Sequence, residues 1–162
     1  MDAIFDRVVR EFFPNTTIPF WKKWLFRTAF GNKVFSRLIY NERLVNKNGV
    51  EWVNAVVELL ELKCESEHHQ FNNIPEHGAT VVISNHPTVI DGLSLIHTVS
   101  RVRSDIKIIA NHVLPIIFPQ VSELTIGIEN MAGKMSHKKF REMNDHLRKG
   151  GVLICLLYTS DA

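Results

Sequence analysis

The sequence predicts an α/β fold in which a largely parallel sheet is flanked by helices. Apolar runs of strand length alternate with segments whose apolar residues recur at helical spacing. This alternation is typical of parallel strands joined by crossover helices. With 162 residues, 45% of them hydrophobic, the chain can bury one core. We therefore expect an N-terminal helical extension over 1–48, one α/β domain over 49–154 and a separate tail over 155–162.

The extension is basic and rich in aromatic residues. Residues 1–50 hold nine Lys or Arg against four Asp or Glu, although the whole chain carries a formal charge of only +2. A compact aromatic and basic run comprises Phe20, Trp21, Lys22, Lys23 and Trp24. This composition suits the headgroup region of a membrane, so we expect these five residues to lie at a membrane surface. Packing of the same segment against the core is the alternative, and the cations form no dense run that would indicate a nucleic-acid partner.

The chain shows no sign of secretion or of a membrane span. Acids and bases are mixed with apolar residues from Met1 to Phe13, which is unlike a signal peptide. No segment reaches the roughly twenty uncharged apolar residues that a spanning helix needs. Cys155 lies in the tail, which leaves Cys64 alone, so we expect a reducing compartment and no disulfide framework. These features favour the cytoplasmic face of a membrane, with peripheral or monotopic attachment.

The elements of the domain follow from periodicity. Residues 50–61 predict an amphipathic helix, with Val53, Val56, Val57 and Leu60 on its apolar face. Residues 63–71 mix apolar and polar side chains and predict an edge strand. The remaining strands are predicted at 79–83, 105–110 and 124–128, and the remaining helices at 88–102 and 136–149, the second capped by Gly150 and Gly151.

The main chemical feature is the run from Asn85 to Asp91, Asn-His-Pro-Thr-Val-Ile-Asp, where the strand at 79–83 gives way to a helix. A neutral imidazole can take a proton from a hydroxyl when its other ring nitrogen donates to a carboxylate. Pro87 disfavours helix for the residue before it, so we expect His86 outside the helix and Asp91 in its first turns. The pair is therefore interpreted as a general base with its orienting acid; the alternative is a loop histidine beside an ordinary helix-start acid.

The run Ser84 to Gly92 resembles the first signature block of the glycerophospholipid acyltransferase superfamily, whose hallmark is His, any four residues, Asp. The turn at 72–78 and the segment 105–119 resemble the family's surroundings of that block, so the likeness covers roughly residues 50–154. It implies acyl transfer from an acyl-CoA or acyl carrier protein thioester to a lipid hydroxyl. His86 is then the base and Asp91 its orienter, with no cofactor required.

The likeness is weaker at the acceptor site. Its second block aligns with residues 127–130, but an asparagine stands where the family's phosphate-gripping arginine is expected, so a phosphorylated acceptor is in doubt. Cations of the next loop and helix, at 134, 138, 139 and 141, offer a substitute charge, and a solvated helix face is the alternative for each of them. We expect the acceptor to be bound by Asn85, Thr88, Glu129, Asn130 and Lys134.

The tail from Cys155 to Ala162 matches the translation of a transposase adapter used in sequencing libraries. We expect the natural sequence to depart from this chain after Ile154, a native apolar strand ending being the alternative. The family's third block, a glycine-containing loop with a glutamate that binds the acceptor's phosphate, would begin just there. We therefore expect the domain to be incomplete here and this polypeptide to be inactive.

The sequence leaves three functions open. The first is an O-acyltransferase that acts on a lysophospholipid-like acceptor in phospholipid biosynthesis. The second is a His-Asp thioester hydrolase, and the third is a non-catalytic protein that binds the membrane peripherally. No metal site is expected, because His68 and His69 would point to opposite faces of a strand with no second ligand pair at a suitable spacing.

Overall fold

A computed structural model of the chain describes residues 41–64, 73–85, 90–128 and 136–157. The helices are α1 (Glu42–Val45), α2 (Gly49–Leu59), α3 (Asp91–Ser100), α4 (Leu114–Ile117) and α5 (His137–Arg148), with a 3₁₀ turn at Pro119–Val121. The strands are β1 (Thr80–Asn85), β2 (Ile106–Asn111), β3 (Thr125–Ile128) and β4 (Val152–Leu157). The α/β class and the predicted strands at 79–83, 105–110 and 124–128 are confirmed.

The strands form one parallel sheet in the order β1-β4-β2-β3. Strand β4, the last in the chain, lies between β1 and β2 and pairs with both. Its first pairs join Val152 to Thr80 on one side and to Ile106 on the other. Parallel strands need long crossover connections: α3 lies between β1 and β2, α4 and the 3₁₀ turn lie between β2 and β3, and α5 lies between β3 and β4. The predicted largely parallel sheet is therefore confirmed.

Helices cover both faces of the sheet. The larger core lies on the face of α2 and α3, where Ile106 and Ile108 of β2 and Val152 and Ile154 of β4 are buried. The smaller core lies on the face of α5, where Met143 packs with Ile126 and Leu153. Alternate residues of β2 and β4 thus serve opposite cores, as strands buried on both sides require. Leu44 of α1 is 1% exposed and belongs to the larger core.

Helix α2 confirms the amphipathic pattern, since Trp52, Val53, Val56 and Val57 are buried. It ends in a Schellman-type turn, in which the Leu62 amide donates to the Val57 carbonyl and Glu61 adopts a φ of 51°. The chain leaves this turn with Lys63 and Cys64 outside any strand. The predicted edge strand at 63–71 is therefore wrong for Lys63 and Cys64, because they directly follow the turn that ends α2 and pair with no strand. The rest of that predicted strand lies outside the described residues.

Helix α5 begins and ends as predicted. The Ser136 side chain accepts a hydrogen bond from the Lys139 amide at the start. At the end, Gly150 adopts a φ of 86° and the Gly151 amide donates to the His146 carbonyl. A Cβ on Gly151 would overlap the His146 imidazole, which would have to move, and the positive φ of Gly150 favours glycine at that position.

Helices α2 and α3 are joined by a polar contact. The Nδ1 atom of His97 lies 2.8 Å from Oδ1 of Asn54, which also accepts a hydrogen bond from Ser100. Burial lowers the pKa of His97 below its ordinary value, and the positive charge of Arg101 adds to the effect. A neutral imidazole that donates to Asn54 therefore fits this helix interface.

Candidate functional site

The carboxyl edge of the sheet is the first place to look for a site. Because all four strands are parallel, they end together, at Asn85, Asn111, Ile128 and Leu157. In open parallel sheets, ligands bind beyond this edge. The site residues predicted from the sequence follow these strand ends along the chain.

The His86 to Asp91 run connects β1 to α3 at this edge. Strand β1 ends at Asn85, directly before His86, and α3 begins at Asp91. Asn85 is exposed and pairs with Leu157 of β4. His86 and Thr88 lie outside the described residues, so the predicted contact between the His86 ring and the Asp91 carboxylate stays a prediction.

Asp91 is half-buried in the first turn of α3. This turn lies close to the sheet, since a Cβ on Gly92 would meet Ile108 of β2 at 3.4 Å and Leu156 of β4 at 3.5 Å. The first amides of a helix point outward without intrahelical acceptors, at the positive end of the helix dipole. The edge thus combines an acid with a helix terminus that favours negative charge.

A second histidine lies at the same edge and was not singled out from the sequence. His112 directly follows β2, and its backbone amide donates to the Ile128 carbonyl at 3.1 Å. The Nδ1 atom of His112 is buried. A Cβ on Gly127 would lie only 2.9 Å from the His112 Cα, so the glycine of the predicted second block makes room for this turn. The Asn111 side chain accepts a hydrogen bond from the Val113 amide at 2.9 Å and shapes the same turn.

A sequence signal could have revealed His112. Both β1 and β2 end in asparagine, and in both cases histidine follows, as Asn85-His86 and Asn111-His112. The two strands are separated by β4 alone, so their ends are about 10 Å apart at the usual strand spacing. Histidines that directly follow two parallel strands indicate one shared edge, but how far apart those strand ends lie is known only from the strand order.

The remaining predicted site residues lie largely outside the described residues. Glu129, Asn130 and Lys134 follow β3 and lie beyond the described residues, as does the membrane-surface run of Phe20, Trp21, Lys22, Lys23 and Trp24. Of the further cations weighed for the acceptor, Lys139 forms an ion pair with Glu142 at 2.8 Å, whereas Lys138 and Arg141 are exposed on α5.

Within 41–64, 73–85, 90–128 and 136–157, no three His, Cys, Asp or Glu side chains are grouped as metal ligands would be. No helix among the same residues has the length and hydropathy to cross a bilayer. Both cysteines have free thiols.

Comparison of the chain with protein-family models, with curated proteins and with solved structures found no match.

Proposed function

We propose that this chain is part of an O-acyltransferase that moves an acyl group from an acyl-CoA or acyl carrier protein thioester to the hydroxyl of a lysophospholipid-like acceptor. The observation that carries the proposal is the position of the His-x4-Asp run, which joins the end of β1 at Asn85 to the start of α3 at Asp91 on the carboxyl edge of a parallel sheet.

In the proposed mechanism, His86 accepts the proton of the acceptor hydroxyl while Asp91 orients the ring and stabilises the imidazolium. The hydroxyl oxygen attacks the thioester carbonyl and forms a tetrahedral intermediate. Collapse of this intermediate breaks the C–S bond, and the thiolate leaves with the proton that His86 returns. An ester and a free thiol result, with no enzyme nucleophile and no external oxidant or reductant.

The first amides of α3 offer the charge stabilisation that this mechanism needs. Negative charge develops on the carbonyl oxygen in the intermediate, and a helix N-terminus stabilises such charge. Gly92 in the first turn has no side chain to cover these amides. His112, which directly follows β2 at the same edge, is a candidate for contact with either substrate.

The decisive experiment uses a version of the chain that continues with its natural sequence after Ile154. Acyl-CoA and a lysophospholipid are supplied, and both the released thiol and the acylated lipid are quantified. We expect His86→Ala to lower transfer about a hundred- to ten-thousandfold and Asp91→Asn to lower it substantially. Circular dichroism should show that both variants fold. Retained transfer in folded His86→Ala would refute the role of this histidine as base.

The same assay distinguishes the alternative functions. Released thiol with free fatty acid and no acylated lipid would indicate the His-Asp hydrolase. Binding to lipid vesicles without any thiol release would indicate a non-catalytic membrane-binding protein.

A further inference from the structure

Of the six large hydrophobic residues with high exposure in the described part of the chain, four lie toward the carboxyl edge of the sheet; the other two are Val45 of α1 and Val81 near the start of β1. Large hydrophobic residues with high exposure in the described part of the chain include Ile83 near the end of β1, at 63%, and Ile90 directly before α3, at 42%. Phe140 in the first turns of α5 is 57% exposed, and Leu157 at the end of β4 is 48% exposed. Soluble surfaces scatter such residues singly, so their concentration at one edge indicates a contact surface.

The first turns of α5 lie toward the same edge. Helix α5 follows β3, packs on β3 and β4 and joins β4 through the short turn at Gly150 and Gly151. It must therefore run antiparallel to the strands, with Arg148 toward their amino ends and His137 toward their carboxyl ends. Phe140 thus belongs to the same end of the molecule as Ile90.

Exposed cations accompany these apolar residues. Lys138 and Arg141 flank Phe140 in the sequence, and both are exposed. Of the two acids of α5, Glu142 is held by Lys139 at 2.8 Å, and Asp145 lies one turn further from the edge. We name Ile83, Ile90, Lys138, Phe140 and Arg141 the edge patch. It combines apolar groups with unbalanced positive charge, which is the composition that binds an anionic lipid surface.

We propose that the edge patch docks the protein on an anionic membrane, with the carboxyl edge of the sheet turned toward the lipid. This deepens the proposed function, since the edge that faces the lipid is the one that carries the His86 to Asp91 run, and a lipid acceptor would then reach it without crossing water. The edge patch shares no residue with the aromatic and basic run at 20–24.

The test is vesicle binding of the full chain without any acyl donor, so its result does not depend on acyl transfer. Co-sedimentation with phosphatidylcholine vesicles that contain phosphatidylglycerol is compared with pure phosphatidylcholine vesicles. An exposed cation near an anionic surface adds about fivefold to binding, so Lys138→Gln/Arg141→Gln should weaken it about twenty-fivefold. Phe140→Ser should weaken it about tenfold.

Matched controls lie elsewhere on the same chain. Arg148→Gln/Lys149→Gln removes two exposed cations at the opposite end of α5, and Val45→Ser removes an exposed apolar group of α1 that is 55% exposed. Both should bind like the parent protein. Hydrogen exchange should slow on vesicle addition in peptides that cover residues 136–144, and less in those that cover 145–151.

Four results would overturn the docking surface. The first is equal binding to both kinds of vesicle, and the second is parent-like binding by the edge-patch variants. The third is an equal loss of vesicle binding in the control variants, which would mean that binding depends on the net charge of the protein and not on the edge patch. Competition by inorganic phosphate at the concentration of the lipid phosphate would also overturn it, because it would indicate a site for a soluble anion.

Discussion

Gly127 shows how one residue can decide the shape of the carboxyl edge. A Cβ at this position would lie 2.9 Å from the His112 Cα, a backbone atom that cannot move alone. We therefore expect Gly127→Ala to lower the free energy of unfolding by about 1–3 kcal/mol through overpacking. Urea denaturation followed by circular dichroism would measure this change.

Gly92→Ala is the control, because its Cβ would meet the side chains of Ile108 and Leu156 at the ordinary distances of 3.4 and 3.5 Å. Alanine also favours helix over glycine, so the expected change is within about 1 kcal/mol and stabilising. If both substitutions had the same effect, the close approach of Gly127 to His112 would not limit stability.

At the scale of elements, Arg103 links the three segments that precede β1, β2 and β4 at the amino edge of the sheet. Its guanidinium forms two hydrogen bonds with the Asp105 carboxylate, at 2.7 and 2.8 Å. It also donates to the carbonyls of Pro75, Gly78 and Gly150, which belong to the segments that precede β1 and β4. Arg103 is 6% exposed, and its guanidinium donors are used within the protein.

Arg103→Met should therefore lower the free energy of unfolding by about 2–3 kcal/mol. The change leaves three carbonyls and a carboxylate without this donor, although Asp105 is half-exposed and partly regains water. Chemical denaturation is the measurement. The control is Arg43→Gln, which removes an exposed cation of α1 and should change the free energy of unfolding by no more than about 0.5 kcal/mol. Equal stability of the Arg103 variant and the parent would contradict the linking role.

The same pair predicts a pH dependence of stability. The hydrogen bonds from Arg103 lower the pKa of Asp105 below its ordinary value of 3.8. The unfolded chain then binds a proton at this group at higher pH than the folded chain does. The stabilisation is present above pH 3.8 and is lost as pH falls toward the folded pKa. Asp105→Asn should flatten this acid limb in unfolding curves taken at several pH values, and an unchanged slope would contradict the assignment.

Local patterns predicted the elements but not their arrangement. The amphipathic residues of α2 and the Ser136 and Gly150 caps of α5 act within one helix, so the sequence alone indicates them. The place of β4 between β1 and β2 depends on pairs far apart in the chain, such as Thr80 with Val152, and no local periodicity encodes it. His112 was missed for the same reason, because its importance follows from which strand ends are neighbours.

At the scale of the whole molecule, β4 connects β1 to the rest of the sheet. In the order β1-β4-β2-β3, the described pairings of β1 are all with β4. The last three of these pairs join Ile83, Ser84 and Asn85 to residues 155–157, within the tail that the sequence assigns to an adapter. The end of β1, and with it the start of the His86 run, therefore depends on whichever residues follow Ile154.

This dependence gives a prediction for two shortened chains. Because the Thr80 amide donates to the Gly151 carbonyl, alternate amides of β1 face β4, and the register places the Ser84 amide opposite the Cys155 carbonyl. Ending the chain at Ile154 removes this acceptor, so the Ser84 amide should exchange with solvent much faster. Ending it at Leu157 keeps every pair of β1 and should leave exchange at Ser84 unchanged. Protection at the β2 and β3 pairs, such as Ile109 with Ile126, should persist in both chains because β2 retains its other neighbour. Slow exchange at Ser84 in the shorter chain would mean that contacts other than β4 hold the end of β1, and the edge would then form without the residues after Ile154.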